Sequence, residues 1–370
     1  MRAFCGVFRR YALRIAPLLL FPLALVLDTL SRAHPQLTES LYSRRIYPLI
    51  SRAGSLVTAF TPVCMAELML CAAVLAALGG LVALVTHRNA VTRRRVASFV
   101  LTVLAAASAC YFFFVVLWGL NYNRQPLAQN LGYKGGSVTS AELSATLTRE
   151  VNAINSLLAD GRIRFDAKGR SFYTGGLLNM EQQTIDGFNT LARQNSLFNR
   201  NYVCPKGVLL SLPWCYTGVE GIFIPFTFEP CVNTVTPAFM LPFNMSHETA
   251  HFKGFAKEDE ANYVAYLAAT ANSDPYFRYS GHMAACSYLS NALYATDQAL
   301  WQQSMSKLDS RAVGDFNYYN QYVERFAGPV QKASQQMNDS YLKSQGEPQG
   351  IVSYNLFVSL LAAEYRTNGG

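Results

Sequence analysis

The chain has 370 residues, 51% of them hydrophobic and only 15% charged, with a slightly positive mean hydropathy. Soluble domains carry about 25% charged residues, so the balance argues against a wholly soluble chain and for a membrane. The net charge of +8 does not point to nucleic acid: the arginines collect beside apolar runs, and no basic helix interleaved with aromatics, zinc finger or RNA-binding signature occurs.

Residues 1–120 are apolar runs separated by arginine clusters. A bilayer core of ~30 Å needs ~20 apolar residues in a helix. Three segments qualify. The first, "IAPLLLFPLALVLDTL" (15–30), extends back to about residue 12. The second is 62–86 and the third 96–120, the latter with an aromatic band at its far end. The first reads as a retained span rather than a cleaved leader, because no small-x-small site precedes Asp28 and two further spans follow. Glu67 is costly inside hydrocarbon, so it is expected near the interface, capping the helix start, rather than in an interhelical contact.

The N-terminal segment carries four arginines, Arg9, Arg10 and Arg14 among them, and the short loop 87–95 carries another four: Arg88, Arg93, Arg94 and Arg95. The loop 31–61 also has four, spread over about three times the length. The positive-inside rule then puts the N-terminus and the short loop in the cytoplasm, and everything after Leu120 outside it. Within 31–61, "RRIYPLISRAGSLVTAF" can form an interfacial amphipathic helix. His34 and His87 flank spans and read as interfacial. Cys5, Cys64, Cys71 and Cys110 fall in the membrane part. Cys204, Cys215, Cys231 and Cys286 fall in the large domain, where an even number permits two disulfides in an oxidising space.

Residues 121–370 have ordinary globular composition. "NYNRQPLAQNLGYKGGSVTS" reads as a polar linker. A capped helix starts near Ser140, and a second covers 178–193. "GVLLSL" (207–212) and "GVEGIFIPFTFE" (218–229) are β-like. After Pro237 the pattern is helical: 239–253, 257–271, 282–308, 315–325, 329–343 and 351–366. This order fits an α+β domain with a small antiparallel sheet and a mostly helical C-terminal half.

"NMSHETAHFKGFAKEDEANYVAYL" carries the chemistry. Residues four apart share a helix face, so His247 and His251 can offer imidazoles to one metal ion. Glu248 lies about 100° round the helix, placed to reach a water on that metal rather than to ligate it. H-E-x-x-H is the arrangement of zinc hydrolases. Zn2+ lowers the pKa of a bound water towards ~7, and Glu248 is the expected general base. Met245, Ala250, Phe252 and Phe255 suggest a buried segment, which must give its polar groups partners; two exposed histidines on a surface helix are the bland alternative. Gly254 can end the helix in a left-handed turn. A second helix can then fold back with Glu258, Asp259 and Glu260 in its first turn. Either Glu258, with Asn262 one turn on as an orienting amide, or Glu260 can complete the ligand set.

"HETAH" with "EDEANYVAYL" resembles gluzincin-type membrane metallopeptidases, whose third ligand opens an E-x-x-A-[DN] motif. That resemblance selects Glu258 over Glu260. The spacing departs from theirs, since only six residues separate His251 from Glu258. The Gly254 turn is similar to that of metzincins, but Lys257 stands where their third histidine would be. Five stretches, "LWGLNYNRQPL", "YTGVEGIFIPFT", "HETAHFKGFAKEDEANYVAYLA", "FRYSGHMAACSYL" and "GIVSYNLFVSLL", resemble a bacterial family of uncharacterised membrane proteins, the domain of unknown function 3810 family. That resemblance implies three N-terminal spans and a zincin-like domain, and supplies no activity or substrate.

"GIFIPFTFEP" (221–230) can hold an extended substrate by strand addition or be a plain core strand. Tyr279, His282 and Tyr354 are candidate oxyanion donors, though each reads more readily as a structural aromatic or a surface histidine. The expected function is a membrane-anchored zinc metallopeptidase acting on a peptide or protein outside the cytoplasm. The alternatives are a catalytically silent zinc-binding envelope module and a structural membrane protein without metal.

Overall fold

The computed structural model describes residues 15–86, 92–198, 203–347, 350 and 356–369. Arg9, Arg10, Arg14, Cys5, His87, Arg88 and Tyr354, and the extension of the first span before Ile15, lie outside the described residues. The helices used below are α1 (Leu20–Ala33), α2 (Tyr47–Thr58), α3 (Met65–Thr86), α4 (Arg93–Leu117), α5 (Ser140–Ala159), α6 (Gly176–Gln194), α7 (Leu241–Phe252), α8 (Glu258–Thr270), α9 (Pro275–Thr296), α10 (Gln298–Met305), α11 (Ser310–Phe326), α12 (Pro329–Ser344) and α13 (Leu356–Thr367).

Among the described residues three stretches are long and apolar enough to cross a membrane: Ala16–Ala33, Met65–Ala83 and Arg95–Leu117. The first opens with a 3-10 turn, Ala16–Leu19. Ser108 of α4 clasps that turn, accepting from the Phe21 amide at 2.9 Å and donating to the Pro17 carbonyl at 2.8 Å. So α1 and α4 pair, while α3 stands with Leu70, Leu75, Leu78 and Val82 exposed along its length.

The loop 31–61 is helical. A π-helical stretch, Thr38–Ile46, runs into α2. Helix α2 buries Tyr47, Ser51, Ser55 and Thr58 against the large domain and leaves Leu49, Leu56 and Val57 exposed. The Tyr47 hydroxyl donates to the Phe252 carbonyl at 2.8 Å. Gly54 lies so close to the Phe228 ring that a Cβ there would overlap it.

The segment after Leu120 is a solvated linker only in its second half, where Gly132 and residues 134–137 are exposed; its first half is not. Asn121, Tyr122, Arg124 and Leu127 are buried, because its polar groups are paired rather than wet. Arg124 makes a two-pronged bond to Glu39 (2.7 and 2.9 Å) and a third to the Gly254 carbonyl (2.8 Å).

Helix α5 starts where a Thr139–Glu142 capping box satisfies its first amides. Its Leu143, Leu147, Val151 and Ile154 pack in one core with Leu289 and Leu293 of α9 and Val264 and Ala268 of α8. The run expected as one helix over 282–308 breaks at Asp297, whose extended backbone (φ −154°) and side-chain bond to the Leu300 amide start α10 afresh.

The sheet is mixed, not antiparallel. Its order is β3 (Lys206–Gly207), β5 (Glu229–Val232), β4 (Gly221–Ile224), with β3 parallel and β4 antiparallel to β5. A separate antiparallel pair joins β1 (Arg164–Phe165) and β2 (Ser171–Phe172). The expected strand over 207–212 stops early: the Glu67 carboxylate accepts the Leu209 and Leu210 amides at 2.8 and 2.7 Å, and Ser211–Cys215 turns into a short helix. Glu67 does sit in the first turn of α3, but it holds this loop and not its own helix end.

Cysteine pairing also differs from expectation. Cys64, just before α3, is bonded to Cys231 of β5 across 167 residues, so the disulfide ties a span to the sheet. Among the described residues Cys71, Cys110, Cys204, Cys215 and Cys286 are free. Neighbouring Glu229 explains the approach: it accepts from the Met65 and Ala66 amides (3.0 and 2.9 Å) and from Lys206 Nζ (2.8 Å), fixing the start of α3 on the strand.

Candidate metal centre

All twelve residues of α7 are buried. The helix ends in a Schellman turn: Phe255 N bonds Ala250 O (3.1 Å), Gly254 N bonds His251 O (2.9 Å), and Gly254 takes φ +88°. That reversal lets α8 run back along α7, with Glu258 as its first residue.

The turn brings three side chains together. His247 Nε2 lies 3.2 Å and His251 Nε2 3.5 Å from Glu258 Oε2, and one ligand atom of each lies within 4.8 Å of the others. Three ligands on a tetrahedral ion with bonds of about 2.1 Å stand about 3.4 Å apart, so the spacing fits. Chemistry fits too. The Phe255 carbonyl meets His251 Nδ1 at 2.8 Å; since a carbonyl only accepts, Nδ1 carries hydrogen and Nε2 faces the cluster. Glu248 Oε2 is buried without a hydrogen-bond partner among the described residues, a state that normally costs about 1–3 kcal/mol, and Glu258 Oε2 has the two imidazole nitrogens as its neighbours.

Titration reflects the crowding. Burial pushes the Glu248 carboxyl up to about 7, against the pull of the two imidazoles. Burial acts on Glu258 in the same direction, but His251 and then His247 more than offset it and hold Glu258 well below the carboxylate range. Burial would lower His251; the Glu258 carboxylate beside it wins and raises it to about 9.

Glu260 is not part of the cluster. Its Oε1 accepts the Leu127 amide at 2.7 Å, its Oε2 is buried without a partner among the described residues, and its oxygens are not among the ligand atoms gathered by His247, His251 and Glu258. Asn262 lines the same cavity as Glu258, yet its Nδ2 has no hydrogen-bond partner, so it does not orient that carboxylate. Tyr279 donates to Asp315 at 2.8 Å and His282 Nδ1 pairs with Glu150 at 2.6 Å; both serve the core and neither reaches the cluster. A second grouping, Cys64, Glu229 and Cys231, is committed to the disulfide and to Lys206.

The cluster opens into a cavity of about 900 Å³. One wall is β4, whose residues 221–224 line this space and which, among the described residues, pairs only with β5. Gly221 makes a close approach there: a Cβ would sit 2.5 Å from Glu248 Oε1. The stretch 221–230 therefore divides, with 221–224 at the cavity edge and 229–232 as the central strand. Sequence reasoning missed Trp118, Tyr122, Tyr288, Tyr319 and Tyr341, which also line the cavity. Tyr319 donates to Glu220 (2.8 Å), and Tyr122 to Tyr341 (3.1 Å). The only signal available for them was aromatic content, which a core would supply equally well.

Fold and site together define a mostly helical protein with three bilayer-length helices and a buried two-histidine, one-glutamate cluster. The chain belongs to a family described as protein of unknown function (DUF3810), whose model matches residues 42–362. No curated protein and no solved structure matches it.

Proposed function

We propose that this protein is a membrane-anchored zinc metallopeptidase with a zincin-like site. His247, His251 and Glu258 hold the ion, and Glu248 is the general base. One observation carries the reading. His247, His251 and Glu258 bring their ligand atoms within 4.8 Å of one another beside a cavity of about 900 Å³ that Glu248 also lines, with Glu248 Oε2 buried and without a hydrogen-bond partner among the described residues.

Zinc supplies a water of lowered pKa and a positive charge beside the scissile carbonyl. Glu248 takes the proton of the attacking water and returns it to the leaving amine nitrogen. Gly221 keeps backbone close to the Glu248 carboxyl, and the free edge of β4 is placed to align an extended peptide. The Cys64–Cys231 disulfide supports an oxidising compartment for the domain, in agreement with the arginine pattern; a reporter fused after Gly370 is then active only outside the cytoplasm.

The test is Glu248→Gln in the full chain. It should keep zinc at wild-type stoichiometry and lose peptide hydrolysis by at least about 100-fold. Unchanged hydrolysis removes Glu248 from the mechanism, and a wild-type chain that holds no zinc removes the metal.

A further inference from the structure

The candidate metal centre lies at the foot of a membrane helix. Trp118, the residue after α4, donates to the His251 carbonyl at 3.1 Å. Phe114, in the last turn of α4, lines the same cavity as His247, Glu248 and Glu258. One helical turn is about 5.4 Å, so the reacting position lies within roughly one side chain and one turn of the end of α4.

The faces of α2 and of the start of α3 that the large domain leaves uncovered are apolar. Helix α2 is inverted relative to a water-facing helix: Ser51, Ser55 and Thr58 point inward, while Leu49, Leu56 and Val57 are about 70% exposed and Phe60 is 78% exposed. Phe60 lies just before α3. Leu209, also exposed, follows β3 and is held by Glu67 in the first turn of α3. On the cavity rim Phe226 is half exposed. Side chains of this kind beside the first turn of a span belong at the headgroup boundary, as in amphipathic helices lying in the interface.

We propose that the substrate is an extended polypeptide still anchored in the same bilayer, by an acyl chain or by its own span, and that it is cut within a few residues of that anchor. This rests on the hydrolase reading above. An extended residue covers about 3.3–3.6 Å, so about five residues bridge the membrane surface and the cluster, with β4 supplying the edge along which they lie.

The experiment uses the full chain, zinc-loaded, in lipid nanodiscs. Three polypeptides share one sequence of about forty residues, which is about 130 Å when extended: one carries a palmitoyl chain, one a transmembrane helix, and one is free. Anchoring raises any reaction through effective concentration, so the position of the cuts decides. Mass spectrometry should find them within about ten residues of the anchor. Cuts in one anchored arm alone identify the anchor chemistry; cuts spread evenly to the far end, or equal turnover of the free peptide, overturn the proposal. If zinc-loaded protein cuts none of the three, the hydrolase reading fails and the substrate assignment with it. The surface is read separately, by a benzophenone group placed at Phe60. It should label lipid as strongly as one at Leu75 of α3, and the absence of lipid adducts at Phe60 overturns the apposition.

Discussion

Trp118 holds His251 from outside the cluster: its indole N–H donates to the His251 carbonyl at 3.1 Å, and the two rings meet edge to face with centroids 5.9 Å apart. The end of α4 thereby holds the backbone of a candidate ligand. Trp118→Phe keeps most of the ring and removes the donor. We expect zinc affinity to fall about tenfold, the lower range for outer partners of a metal site, with about 1 kcal/mol of stability lost for the hydrogen bond. Competition against a chromophoric chelator measures the first and thermal melting the second. An unchanged affinity means that α4 and the metal centre are only neighbours.

Glu258 and Glu260 are two residues apart and equally acidic in sequence, but they have different surroundings. Glu258→Gln should lower zinc affinity by more than about 100-fold, beyond the range of outer-shell changes. Glu260→Gln should leave it within about twofold, since its Oε1 accepts the Leu127 amide and an amide oxygen can do the same. Metal analysis after dialysis against a buffered chelator separates the two, and the reverse ranking refutes the assignment.

Much of this was legible in the sequence. The i, i+4 spacing of His247 and His251, the glycine at 254 and the acids that follow specify a helix, a reversal and a facing carboxylate, because each depends on local geometry alone. The three long apolar stretches were legible for the same reason. What the sequence hid depends on long-range pairing. Cys64 looked like a membrane cysteine until Glu229 was seen to draw the start of α3 onto β5. Arg124 looked like linker polarity, yet its partner Glu39 lies 85 residues away. The strand over 207–212 failed because Glu67, from another element, took the amides a ladder would need.

Zinc loading should release protons. His251 is raised to about 9, so near pH 7 its imidazole carries a proton that ligation must displace. Affinity should therefore climb with pH between about 7 and 9 and flatten above, and calorimetry at pH 7 in buffers of different ionisation enthalpy should report about one proton released. Glu258, held low by the imidazoles, contributes none. Buffer-independent heats contradict this account.

Gly221→Ala tests the contact between β4 and the general base. A Cβ would fall 2.5–2.8 Å from the Glu248 carboxylate, and the flexible glutamate tip, not the strand, should yield. Zinc content should stay at wild-type level while kcat drops about 100-fold, the usual cost of misplacing a reacting group by about 1 Å. Loss of zinc together with activity shows instead that the sheet has moved.

Glu150 forms another buried ion network, outside the cavity. It is fully buried and bonded to His282 Nδ1 (2.6 Å), Arg149 Nε (2.9 Å) and the Tyr266 hydroxyl (3.1 Å). Burial acts to raise its carboxyl; His282 and Arg149 more than compensate, and the folded value lies below the ordinary 4.5. The folded chain therefore binds fewer protons here than the unfolded chain once the pH falls below about 4.5, and the stabilisation present above that pH drains away as the folded value is crossed. Glu150→Ala strands His282 and Arg149 and should cost about 3–5 kcal/mol at pH 7. Thermal melting of both proteins at pH 7 and again at about pH 3 should show the gap narrowing in acid. A gap of constant size would mean that Glu150 contributes through packing and not through its charge.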